Sequence, residues 1–177
     1  RIVCKMSQAQ SDKWHKLWDP SSYLASARMP VAFLNGTNDF AYPMDSYAKS
    51  CALVRAEKNY SIQLRMPHGH IFGFKEFFPF ADQYLKGGTP MPVIATPQVK
   101  DGKVQAQVKA VTKLVSARLH YTMGPHAKNK SRPWTTKELV IEGNLIKGDA
   151  SPKEATAWYV DLTDERKVLV SSQVMIK

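Results

Sequence analysis

A chain of 177 residues, 44% of them apolar, can bury a core of its own, which excludes a disordered polymer. The formal net charge of +10 invites a nucleic-acid reading, but the excess is spread, +4 over residues 1–95 and +6 over 96–177, and the one cluster, KNKSR at 128–132, reads as a solvated loop between strands. No run of eighteen apolar residues is present to span a membrane, and two cysteines, Cys4 and Cys51, build no disulfide framework.

The chain opens on RIVCKMSQAQ, with neither an initiator methionine nor the apolar stretch of a signal peptide, and the expectation is a chain that begins inside something larger. DKWHKLWDPSSYLASARMP then predicts a helix ending near Trp18, a turn at Asp19 and Pro20, and a second helical turn capped by the serines that follow. VAFLNG, 31–36, is an apolar run too short for a helix and fits a strand covered on both faces. After the loop GTNDFAYP, residues Met44, Tyr47, Ala48, Cys51 and Val54 recur at helical spacing, with Asp45 near the N-terminal end where an acid is favoured. Cys51 in that pattern is a core residue rather than a nucleophile.

A second strand, SIQLRM, is followed by PHGH and then by Phe77, Phe80, Ala81, Tyr84 and Leu85 at helical spacing, with Pro79 in the first turn and Gly87 where the helix stops. Strand, helix, strand, helix in this order predicts a βαβα unit with parallel strands. KGGTPMPVIATP marks a boundary, dividing the chain into residues 1–92 and 93–177.

Beyond the boundary the period becomes two. Val104, Ala106, Val108 and Ala110 alternate with polar residues, as do Ala117, Leu119, Tyr121 and Met123, and Asp101-Gly102 is a two-residue hairpin signal. RPWTTKELVIEG, EATAWYVDLTD and KVLVSSQVMIK add further strands, the last two joined at Asp164-Glu165-Arg166. Short strands at this spacing predict an antiparallel β-sandwich with Trp134 and Trp158 in its core.

The two parallel strands end at one edge of their sheet, about 5 Å apart, which brings the loop bearing Asp39 to the loop bearing His68 and His70. A carboxylate on a histidine Nδ1 fixes the tautomer and stabilises the imidazolium, so this is two thirds of a Ser-His-Asp triad. No G-x-S-x-G elbow occurs in the chain. Two other readings stand beside it: Asn38, Asp39, Pro67 and Gly69 as plain turn formers, and His68 and His70, spaced i and i+2, as metal ligands with Asp39. His15, His120 and His126 have no partner in sequence and take surface or structural roles.

GTNDFAYP, MPHGH and FADQYLKGG resemble the C-terminal part of α/β-hydrolases of the prolyl oligopeptidase, dienelactone hydrolase and acetyl xylan esterase group. WDPSSYL with MPVAFLNGTNDFAYP is similar to bacterial members that carry a β-sandwich after the hydrolase domain. The resemblance implies an α/β plus all-β chain: the C-terminal βαβα portion of a hydrolase sheet, then an Ig- or fibronectin-like sandwich. It implies Asp39 as the acid and His70 as the base, with His68 the alternative.

The serine and the oxyanion donors would lie in the upstream part of the same hydrolase domain, leaving the chain alone inactive. The substrate implied is a small-molecule or carbohydrate ester, with no cofactor, no metal, no nucleic acid and no membrane, in a secreted or periplasmic setting. The competing class is a non-catalytic sandwich that binds carbohydrate or protein. The third role, for the sandwich, is packing on the hydrolase domain or homo-oligomerisation.

Overall fold

The computed structural model describes residues 5–69 and 74–177. Helix α1 (Gln8–Trp18) starts at Ser7, whose hydroxyl accepts from the Gln10 backbone N–H while the Gln10 side chain accepts from the Ser7 N–H, a reciprocal cap. A short α2 (Ser21–Leu24) follows, and neither helix buries a residue completely. Strand β1 (Val31–Asn38), helix α3 (Met44–Leu53) and strand β2 (Lys58–Pro67) come next, then α4 (Phe77–Leu85).

As their order predicts, β1 and β2 are parallel neighbours, in register from Val31 opposite Lys58 to Gly36 opposite Gln63. α3 buries Met44, Tyr47 and Cys51, one stripe at i, i+3 and i+7, each large side chain contributing about 1.5–3 kcal/mol relative to exposure.

The remaining strands are β3 (Val93–Ile94), β4 (Gln98–Lys100), β5 (Lys103–Lys109), β6 (Leu114–Thr122), β7 (Thr135–Glu142), β8 (Leu145–Asp149), β9 (Ala157–Asp164), β10 (Leu169–Ser171) and β11 (Met175–Ile176). Asp101 and Gly102 both have positive φ, the conformation that a tight β4–β5 hairpin requires.

The expected architecture, a βαβα hydrolase portion followed by a separate sandwich, is overturned by the sheet. The strands follow one path, β1-β2-β10-β9-β6-β7-β8-β5-β3, a curled, mixed, half-barrel sheet in a chain that is 39% strand and 23% helix. The junction is Ser171 opposite Tyr60: β10 runs antiparallel along the edge of β2. β2 is thereby parallel to one neighbour and antiparallel to the other, and the sheet continues into β9 and β6.

Two apolar clusters hold this sheet. Trp158, Val160 and Leu162 join Val104, Ala106, Val108, Leu119, Leu139 and Ile146 in the first. Ala157 and Tyr159, the alternate residues of β9, join α3 and Trp134 in the second, so β9 is covered on both faces. Both tryptophans are buried as expected, but Trp134 packs beneath α3 and against Tyr159.

The basic cluster lies between β6 and β7 with Lys130 and Ser131 exposed, and its last residue departs from the reading as a solvated loop. It lies in a 3-10 turn, His126–Ser131, after which Arg132 is fully buried, its Nε donating to Gly124 O and its Nη2 to Thr156 Oγ1.

Candidate active site

The site is built where β1 and β2 lose register. Gly36 pairs with Gln63 but Asn38 with Pro67, so β2 carries two more residues than β1 over that step. The excess is absorbed in a bulge at Arg65, whose φ of 58° is uncommon for a residue with a side chain. Thr37 clasps the bulge: its hydroxyl oxygen accepts from the Arg65 N–H at 2.7 Å and donates to Asn38 Oδ1 at 2.8 Å. Asn38 Nδ2 in turn donates to the carbonyls of Lys130 and Arg132. The end of β1, the bulge of β2 and the turn before β7 are thus one hydrogen-bonded unit, and beyond it the chain swings residue 68 over residue 39.

Asp39 is buried. Its Oδ1 accepts from the backbone N–H groups of Ala41 and Tyr42 at 2.8 and 2.9 Å, an Asx turn that fixes the carboxylate plane. Its Oδ2 lies 3.1 Å from His68 Nδ1, and because an ionised carboxylate only accepts, Nδ1 carries the proton of this bond. The His68 side chain is 32% exposed against 8% for Asp39, so the acid is shielded and the imidazole faces outward. Phe40 and Tyr42, both well exposed, set their rings 5.2 and 5.6 Å from the imidazole centroid and form an apolar rim around it. Among the described residues nothing hydrogen-bonds His68 Nε2.

Of the residues named from the sequence, Asp39 and His68 come together, and His70 lies outside the described residues. No three His, Cys, Asp or Glu side chains converge as a metal shell among the described residues. Cys51 is buried, and that burial pushes its thiol up to about 12, the environment of a core thiol. His15 is exposed on α1, its Nδ1 bonded to Ser11 O.

A second polar constellation escaped the sequence reading. His120 on β6 is fully buried, with Nε2 donating to Asp161 Oδ2 at 2.8 Å and Nδ1 2.9 Å from Thr136 Oγ1. Arg118 holds the same carboxylate through Nε and Nη2. Asp161 inside the apolar run AWYVDLTD was the available signal, since a charge on a doubly covered strand must be paired. His120 and Asp161 are buried and paired, and the half-buried Arg118 caps the carboxylate from the solvent side, an arrangement that suits a structural role.

Compared with models of known protein families the chain matches none, and compared with curated proteins it has no significant relative.

Proposed function

We propose that Asp39 and His68 are the acid and base of a serine-hydrolase site acting on an ester of a small molecule or carbohydrate, with the serine and the oxyanion donors brought from outside residues 1–177. The observation that carries this reading is the 3.1 Å contact between a shielded carboxylate and Nδ1 of an outward-facing imidazole.

In such a site Nε2 takes the hydroxyl proton as serine Oγ bonds to the acyl carbon, Asp39 stabilises the imidazolium, and the proton passes to the departing alkoxide. The Ala41 and Tyr42 N–H groups on Asp39 Oδ1 keep the carboxylate from turning away during this transfer. Phe40 and Tyr42 offer the apolar surface against which the substrate lies.

The exposed large apolar side chains of the strand-rich half, Val99, Val111, Val115, Met123 and Val140, include no aromatic platform, so the binding-module reading has no comparable support.

The reading is tested with p-nitrophenyl acetate. Residues 1–177 alone should turn it over no faster than an equal concentration of free imidazole. In a polypeptide that also contains the serine, His68→Gln should lower kcat by about 10⁶ at little cost in KM. Fast turnover by residues 1–177 alone, or full activity in the His68→Gln variant, would overturn it.

A further inference from the structure

Where the bulge of β2, the start of α4 and the β9–β10 turn meet, a cavity of about 320 Å³ opens, at the small end of the range for ligand pockets. Met66, Phe74 and Leu169 line it with apolar surface, and Lys75, Glu76 and Lys167 bring charge to it.

Lys167 stands where the turn favours glycine. Its N–H donates to Asp164 O and the Asp164 N–H donates to Val168 O, a tight hairpin turn completed by a residue with a φ of 64°. Glycine takes that conformation freely, whereas a residue with a Cβ takes it at a cost. The preceding Arg166 is pinned elsewhere, its guanidinium on the Asp164 carboxylate and on the carbonyls of Thr89 and Pro90. Lys167 itself lines the cavity, and among the described residues neither it nor Lys75 makes an ion pair.

Glu76 is buried in the wall of the same cavity. It immediately precedes α4, yet its side chain does not cap that helix: Oε1 accepts instead from the Leu169 N–H at 3.0 Å. Oε2 has no hydrogen-bond partner among the described residues and is an acceptor left over. Two lysines against one glutamate give the lining an excess of positive charge, with apolar surface beside it. That combination complements a molecule that carries a carboxylate and a hydroxyl on a hydrocarbon body.

We propose that this cavity binds a small hydroxylated carboxylic acid, its carboxylate on the Lys75 and Lys167 ammonium groups and its hydroxyl donating to Glu76 Oε2. The proposal is independent of the hydrolase reading, since it uses neither Asp39 nor His68.

It is tested by titrating ¹⁵N-labelled residues 1–177 with 4-hydroxybenzoate. The expected result is a saturable set of shift changes centred on Phe74, Lys75, Lys167 and Leu169. 4-Hydroxybenzyl alcohol, which lacks the charge, and benzoate, which lacks the hydroxyl, should each bind about tenfold more weakly. Lys167→Gly relaxes the turn, so this variant should unfold no earlier in urea than the parent while its affinity for 4-hydroxybenzoate falls about tenfold. Lys75→Gln, at an exposed position, should weaken binding likewise. Three results would overturn the proposal: no saturable shifts at these residues, undiminished affinity in both lysine variants, or equal binding of the uncharged alcohol or of benzoate.

Discussion

Gly36 sits so close to Met66 that a Cβ placed on it would lie 2.1 Å from the Met66 carbonyl oxygen. A backbone oxygen cannot rotate aside, so this approach reserves the position for glycine at the step where β1 and β2 change register. Gly36→Ala is expected to destabilise by about 3 kcal/mol. Gly148→Ala, where the Cβ would meet the rotatable Leu139 Cδ2 at 2.6 Å, should cost about 1 kcal/mol. Urea midpoints read the difference, and equal midpoints would show that the two strands part freely at the bulge.

Thr37 serves the same bulge through its hydroxyl. Thr37→Val keeps the shape but leaves the Arg65 N–H and Asn38 Oδ1 without their partner, at a cost of about 1–3 kcal/mol. Since the bulge aims residue 68, the His68 ring resonances should move as well. A variant as stable as the parent with an unmoved His68 would show that the clasp has no part in placing the pair.

The tautomer of His68 is the direct reporter on the pair. Long-range ¹H–¹⁵N spectra should find the proton of the neutral ring on Nδ1, and Asp39→Asn should shift it to Nε2. The amide introduced by that substitution still offers an oxygen to Ala41 and Tyr42 while turning its NH₂ toward the ring. In a polypeptide containing the serine, the same substitution should depress kcat by about 10⁴. An Nε2-protonated ring in the parent chain would remove His68 from the base role.

The buried carboxylate of the second constellation separates structural from surface ion pairing. Asp161→Ala strips both Arg118 and the fully buried His120 of their partner and is expected to cost about 3–5 kcal/mol. Asp149→Ala breaks the Lys103 pair, whose side chains are 70% and 67% exposed, and should leave the unfolding transition in place. Comparable losses in the two variants would contradict this account.

Alkali should unfold the protein through the groups beneath α3. Burial raises Cys51 from 9.0 to about 12 and Tyr60 from 10.0 to about 12, and it raises Tyr47 too. These groups keep their protons in the fold after the unfolded chain has lost them, so the folded state binds more protons and stability falls as pH rises. Their contribution is complete below about pH 9 and is lost progressively through about pH 12. Absorbance of tyrosinate should show a protected fraction at about pH 11 that appears only on unfolding. Ionisation of all tyrosines together at about pH 10 would refute the buried environment.

Much of β1, α3 and β2 was legible because each is written in local periodicity: an apolar run, a stripe at i, i+3 and i+7, and a second run. The parallel pairing, and with it the meeting of the two loops, followed from the helix between the strands. That His68 reaches Asp39 did not, because the bulge at Arg65 that places residue 68 leaves no mark in the local periodicity. Arg132 was misread because its carbonyl and hydroxyl partners, Gly124 and Thr156, lie in other segments.

By itself, then, the chain's sequence determined the elements and the order in which they alternate, since backbone conformation answers to neighbours within a turn or a pleat. Tertiary structure alone decided that KVLVSSQVMIK splits at Ser172 and lays β10 against β2, turning an expected pair of layers into one curled sheet. A period of two reads the same whichever edge it pairs with. The edge is chosen by the sum of distant contacts, here Ser171 opposite Tyr60 and the Glu76 carboxylate accepting from the Leu169 N–H, and no local pattern records such a sum.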